Sequence, residues 1–289
     1  MIVKTNEVVY IPKGSINQII SHLQKKNYNV TKLDSLMLRL IGIPQSGWIY
    51  IGQKRLTRAD FLYRLTTAKA AMVDVMLIPG ETTYIFLDEL AEKLSLDRSK
   101  LQNEFVKQSI WPEGALFPDT YKLPIGISEH AAIHLLLARS QKEMHYLSKK
   151  IFGKYDKRKW LRYLIVASII QKEAASVEEM PVVASVIYNR LKKGMKLQMD
   201  GSLNYGRFSH MRITAKRLRQ DTSRYNTYRY KGIPPYPVCN PGLNAIKAAI
   251  FPAQTPYLYF VRLRNGGHAF ATSYKKHLKN LNSVTKSNK

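Results

Sequence analysis

A single cysteine, Cys239, in 289 residues leaves no internal disulfide and no multi-cysteine zinc or iron-sulfur site. Acidic side chains are scarce too: 20 Asp and Glu against 46 Lys and Arg give a formal charge of +26 and a pI near 10.0. Such a surface attracts polyanions, whether nucleic acid, an anionic membrane or an acidic wall polymer. No run approaches the roughly 20 apolar residues that a bilayer span requires, and the densest, 163–170, is far shorter. The N-terminal stretch MIVKTNEVVYIPKG has no apolar signal core, so an export signal or anchor is expected outside this chain or not at all. Walker-type glycine loops, nucleophile elbows, zinc-protease helix motifs and dinucleotide fingerprints are missing, which removes the usual support for nucleotide, metal and serine-hydrolase chemistry. What remains, 45% hydrophobic, is enough for one large core or two modest ones and excludes global disorder.

Organisation begins with an internal echo. Val9-Tyr10-Ile11-Pro12-Lys13-Gly14 aligns with Met76-Leu77-Ile78-Pro79-Gly80-Glu81, and Ile19, Ile20 and Leu23 of the first copy match Phe86, Leu87 and Leu90 of the second. Each copy predicts strand, turn and helix, and each needs a partner to cover it. The cluster of Pro112, Gly114 and Pro118 within 108–118 predicts a boundary. Beyond it, helices are expected over 158–175 and, after Glu178-Glu179, from Pro181 through Val182, Val183, Val186, Ile187 and Leu191. Residues 194–240 are polar, aromatic and without a period, the mark of a functional or mobile segment. A helix over 244–251, a hairpin of 257–263 with 268–273 through Asn265-Gly266-Gly267, and a frayed tail at 285–289 complete the reading.

Val166, Ile169 and Ile170 form an apolar helical stripe that Glu173 continues at three- and four-residue spacing, while Gln171 and Lys172 are expected to point elsewhere. A carboxyl ending a buried stripe loses solvation and holds its proton to higher pH, as a general acid requires. A glutamate at a helix end is equally a salt-bridge partner, and the pattern leaves both roles open. Asp200, in the irregular segment, suits a substrate contact on a loop or an ordinary Asp-Gly turn. Tyr225-Asn226-Thr227-Tyr228 and the Pro-rich 232–237 combine amides, hydroxyls and flat rings in a stiff backbone, the mixture of a sugar cleft and also of a rigid packed loop. His268 after the hairpin turn is either a polar site residue or a structural side chain.

Phe117-Pro118-Asp119-Thr120-Tyr121, the block from Ala167 to Ala174 (ASIIQKEA), Val183-Ala184-Ser185-Val186 with Asn189-Arg190-Leu191, the block GMKLQMD ending at Asp200, Tyr225-Asn226-Thr227-Tyr228 and Tyr257-Leu258-Tyr259-Phe260-Val261 resemble the MltG (YceG-like) family of endolytic murein transglycosylases. The blocks run in family order over 117–277, and the N-terminal repeats resemble the family's LysM-like region more loosely. The resemblance implies an α+β fold in which small LysM-like N-terminal βα subdomains precede a larger mixed α/β catalytic domain: an N-terminal α+β subdomain at 1–73, a LysM-like subdomain at 74–112 and the catalytic domain at 113–289. It places the catalytic glutamate on Glu173 and brings Gln198, Asp200, Tyr205, Tyr225, Asn226, Thr227, Tyr228 and Asn240 to the substrate site, to which the reading of the hairpin adds His268. Many members carry Glu where this chain has Gln171, and Asn204 and Tyr236 depart from the residues expected, which bears on fine substrate preference.

The reaction so implied breaks the MurNAc-GlcNAc β-1,4 bond inside glycan strands and leaves 1,6-anhydro ends, with no cofactor and no metal. The implied partners are peptidoglycan strands and the wall-synthesis machinery, at the outer face of the bacterial cytoplasmic membrane, and nucleic acid is not among them. Two other classes compete on composition: a nucleic-acid module using Arg224-Tyr225 and Tyr228-Arg229-Tyr230-Lys231, and a wall-binding scaffold without catalysis.

Overall fold

Residues 2–286 are described in the computed structural model, and they fall into two compact units. The first comprises 1–75 with 93–95 and 122–128. Its elements are β1 (Ile2–Lys4), β2 (Val8–Ile11), α1 (Ile16–Lys25), α2 (Asp34–Ile41), β3 (Gly47–Tyr50), β4 (Arg55–Thr57), α3 (Arg58–Thr67) and most of β5 (Met72–Met76). β1 pairs antiparallel with β4, and β2 pairs antiparallel with β3, placing Val9 opposite Ile49. Ser15 starts α1 through a capping box in which its backbone N–H donates to Gln18 Oε1 at 2.8 Å. The helix then buries Ile19, Ile20 and Leu23, the stripe expected from the first repeat, against Phe61, Leu62 and Leu65 of α3 and the β2–β3 ribbon. Each such side chain contributes about 1.5–3 kcal/mol by leaving water.

The second unit comprises 76–92, 96–121 and 129–289. It carries α4 (Thr83–Leu94), α5 (Arg98–Gln108), α6 (Glu129–Phe152), α7 (Lys157–Glu173), α8 (Met180–Lys192), α9 (Ala215–Gln220), α10 (Leu243–Ile250), β7 (Tyr259–Arg262), β8 (His268–Ala271) and α11 (Tyr274–Lys286), while β6 (Thr120–Pro124), whose residues 122–124 belong to the first unit, pairs with β5. The segment 74–112, expected as a subdomain of its own, thus lies almost wholly in the second unit. In the second repeat copy Phe86, Leu87 and Leu90 are buried as expected, but its strand stops at Met76, before Leu77-Ile78. The stretch 108–118, read as a boundary, is interior: Trp111, Glu113, Ala115 and Leu116 are all buried.

α7 is the axis of this unit. Asp156 caps it by accepting the Lys159 N–H at 3.0 Å, residues 164–170 are buried without a break, and α8 and α10 pack on it. It ends at Glu173 because Ala174 turns to extended backbone. α8 opens with Pro181 in its first turn and buries Val183, Val186 and Ile187. The segment 194–240 contains α9 and two short 3-10 turns, Asp200–Leu203 and Gly206–Phe208, and it is packed: Leu197, Met199, Leu203, Val238 and Cys239 are buried. β7 and β8 form the expected antiparallel hairpin, with Arg262 opposite His268. Of the tail expected at 285–289, residues 285 and 286 continue α11, and 287–289 lie outside the described residues. Among the described residues no helix is long and apolar enough to cross a membrane.

Candidate active site

Glu173 closes the buried stripe of α7 half-buried, facing a cleft of about 370 Å³. The cleft is walled by the start of the irregular segment, by Tyr228 and by β7 and β8. The Gly201 N–H donates to Glu173 Oε1 at 2.6 Å, which fixes one oxygen and leaves Oε2 for a proton. Burial pushes this carboxyl up to about 7; the Gly201 hydrogen bond opposes the shift, and the neighbouring Asp200 charge adds to it. Asp200 stands beside Glu173 on the same wall, because it immediately precedes the residue whose amide holds Glu173. It is exposed and accepts the Tyr228 hydroxyl proton at 2.7 Å. Tyr228 is half-buried, and burial together with Asp200 raises its phenol well above the usual value.

The structure gathers Glu173, Gln198, Asp200, Tyr228 and His268 around the cleft. Gln198 takes a left-handed backbone (φ 51°), rare for a side-chain-bearing residue, and its Oε1 accepts from Arg190 Nη1 at 3.2 Å. His268 is held from behind: its Nδ1 lies 2.7 Å from Glu179 Oε2, and its backbone N–H donates to Oε1 at 2.9 Å.

The remaining expected residues stand behind the wall. Asn226 is fully buried and donates through Nδ2 to the Leu218 and Asp221 carbonyls at 2.9 and 2.7 Å. The Thr227 hydroxyl accepts the Met199 N–H at 3.0 Å, and its carbonyl accepts the Gln198 N–H at 3.2 Å. These two residues therefore pin the strip that presents Gln198, Asp200 and Gly201. Tyr225 stacks on Tyr205 at 4.4 Å, and the Tyr205 hydroxyl donates to Asp221 at 3.1 Å. Asn240 is fully buried, donating to Glu81 O and Thr83 Oγ1, both at 3.1 Å, and accepting the Leu116 N–H at 3.2 Å. It organises the start of α4.

Several cleft residues were not singled out by sequence. Lys172, expected to point elsewhere, lines the cleft, its Nζ donating to Ser209 at 3.0 Å; Gln171 does turn away, accepting the Gly242 N–H at 3.1 Å. Arg190 also lines it and donates to the Lys196, Leu197 and Leu258 carbonyls at 3.0, 2.8 and 2.6 Å. Its signal was present: it ends the buried stripe Val183, Val186, Ile187 of α8 as Glu173 ends that of α7. Arg262, Phe260 and Val261 reach the cleft from β7 and Ile213 from the irregular segment, as does Asn204, the departure the sequence did mark.

A cleft with one proton-holding carboxyl, amides and hydroxyls, and cations on its walls can bind a polar polymer and move one proton. Comparison with known proteins gives the same direction. The family model described as YceG-like matches residues 9–283. An endolytic murein transglycosylase of Bacillus subtilis (strain 168) is 29% identical over 308 residues, covering 96% of this chain and 84% of that protein. One of Streptococcus pneumoniae (strain R6) is 32% identical over 175 residues, 58% of this chain and 31% of its own length. The crystal structure of a yceG-like protein of Listeria monocytogenes superposes with a TM-score of 0.63 at 25% identity, covering 96% of this chain and 99% of that one.

Proposed function

Since the chain belongs to the YceG-like family, we propose that it is an endolytic murein transglycosylase with Glu173 as both its acid and its base. The observation that carries this reading is the Glu173 carboxyl, protonated up to about pH 7 and aimed into a cleft of about 370 Å³. The neutral acid donates its Oε2 proton to the glycosidic oxygen between N-acetylmuramic acid and N-acetylglucosamine, and the bond opens through an oxocarbenium-like state. The new carboxylate is stabilised by the Gly201 N–H already on Oε1. It removes the proton from the muramoyl C6 hydroxyl, whose oxygen attacks the anomeric carbon. The products are a 1,6-anhydro end and a free N-acetylglucosamine end, with no water consumed. Gln198, Asp200, Tyr228 and His268 orient the sugar and meet the developing positive charge.

Glu173→Gln keeps the shape and removes the proton, so activity on peptidoglycan falls by about 10²–10⁴-fold with the fold intact. Mass spectrometry of the digests checks it: anhydro-muropeptides formed by the variant at the parental rate contradict the proposal. Products of the parent enzyme carrying an added water would instead assign Asp200 a hydrolytic role beside Glu173. The same reading places the enzyme at the outer face of the cytoplasmic membrane, with glycan strands as substrate and wall-synthesis proteins as neighbours. It also makes the N-terminal βα repeats LysM-like units that hold the polymer.

A further inference from the structure

An apolar stripe in the first unit faces away from its core. Leu33, Leu36, Met37, Leu40 and Ile41 recur at the i, i+3, i+4, i+7, i+8 spacing of one helical face, and all are exposed, Leu40 to 86% and Leu33 to 75%. Ile43, just past the end of α2, is exposed to 80%. The inward face of the helix is the narrower one, formed by Asp34 and Leu38 one turn apart. Asp34 is spent internally: it accepts the Thr31 N–H at 2.6 Å and lies 3.8 Å from the Arg58 guanidinium. The exposed charges of the segment, Lys32 and Arg39, are therefore both positive.

We propose that this face of α2 lies in the interface of an anionic lipid bilayer, with Leu33, Leu36, Met37, Leu40, Ile41 and Ile43 among the upper acyl chains and Lys32 and Arg39 at the headgroups. Contiguous exposed apolar surface of this kind marks an interaction site, and charge selects the occupant. A second copy would bring +26 against +26, whereas an anionic leaflet attracts both the flanking cations and the whole molecule. At eight residues α2 is too short to span, so it lies in the membrane plane, as amphipathic helices with basic flanks do. The inference is independent of the Glu173 cleft.

Co-sedimentation of the chain with phosphatidylglycerol/phosphatidylcholine vesicles, and with phosphatidylcholine alone, tests it. The chain is expected to sediment with the anionic vesicles and to be released as salt rises. Leu36→Ser/Leu40→Ser is expected to weaken that binding by about tenfold or more per leucine while leaving circular dichroism and digestion of soluble glycan strands unchanged. A second measurement does not depend on the double variant folding: Leu40→Cys carrying an environment-sensitive fluorophore, with Cys239 buried and unreactive, shifts its emission to the blue on meeting the vesicles. No sedimentation of the parent chain, equal binding by the double variant, or no emission shift overturns the proposal. A concentration-dependent dimer abolished by the double variant overturns it in favour of a second copy.

Discussion

A methyl group on Gly201 would stand 2.5 Å from Lys172 Cβ and 3.0 Å from Glu173 Oε1, so at this position the backbone can approach the acid only without a side chain. Gly201→Ala should push the strip off Glu173, remove the 2.6 Å hydrogen bond that holds it, and lower kcat by about 100-fold in a folded protein. Circular dichroism and turnover on glycan strands separate that from unfolding. The raised carboxyl itself makes a prediction whose sign is fixed. Glu173 moves from an ordinary 4.5 to about 7 on folding, so the acid form is present below about 7 and kcat/KM falls as pH rises through that value. Because the native state holds the proton more tightly, its contribution to stability is intact below about 4.5 and is lost as pH climbs to about 7. Glu173→Gln should therefore melt a few degrees above the parent at pH 8 and close to it at pH 4.5. Glu113, raised to the same region by its own burial, stays in both proteins and cancels in the comparison.

At the scale of elements, the support of α4 separates structural from substrate-binding side chains. Thr83, its first residue, donates its N–H and hydroxyl to the buried Glu113 carboxylate at 3.0 and 2.6 Å, and Asn240 reaches Thr83 Oγ1 from the other side. Asn240→Ala leaves the Leu116 N–H and the Glu81 carbonyl without their side-chain partner, and should cost about 2–4 kcal/mol of stability, read by urea unfolding, with KM for glycan strands unchanged. A raised KM without lost stability would assign Asn240 to the substrate after all. Legibility in the sequence follows the same division. α1, α7 and α8 were readable because their apolar residues recur on one face, with Pro181 marking the start of α8. The 24-residue α6 was not, because its inward face includes Ser140 and Ser148, which hydrogen-bond Leu136 O and Lys154 O and dilute the apolar period. Glu173 was legible as a carboxyl ending a stripe. That Asn226 and Thr227 brace the wall rather than line it was not, since their bonds reach Met199 and Leu218, set by the path of an aperiodic loop.

Across the whole molecule, charge and chemistry are separated, and ionic strength can tell them apart. The +26 field acts through water over a screening length of about 10 Å at 0.1 M salt, so it governs how a strand bearing peptide carboxylates is collected. Glu173 works half-buried, its proton set by desolvation and by the Asp200 charge on the same wall, and salt screens such a partly buried group far less than surface charges. Raising salt from about 0.05 to 0.5 M should accordingly raise KM on peptide-bearing murein several-fold while leaving kcat in place. Strands stripped of their peptides, with the muramoyl lactyl carboxyls so exposed capped as methylamides, carry few charges and should show little of this dependence, although they present the same glycosidic bond to Glu173. Steady-state kinetics on the two substrates across the salt series decide it. An equal salt effect on both would mean that the surface charge takes no part in collecting the polymer, and a fall in kcat would mean that mobile ions reach the acid itself.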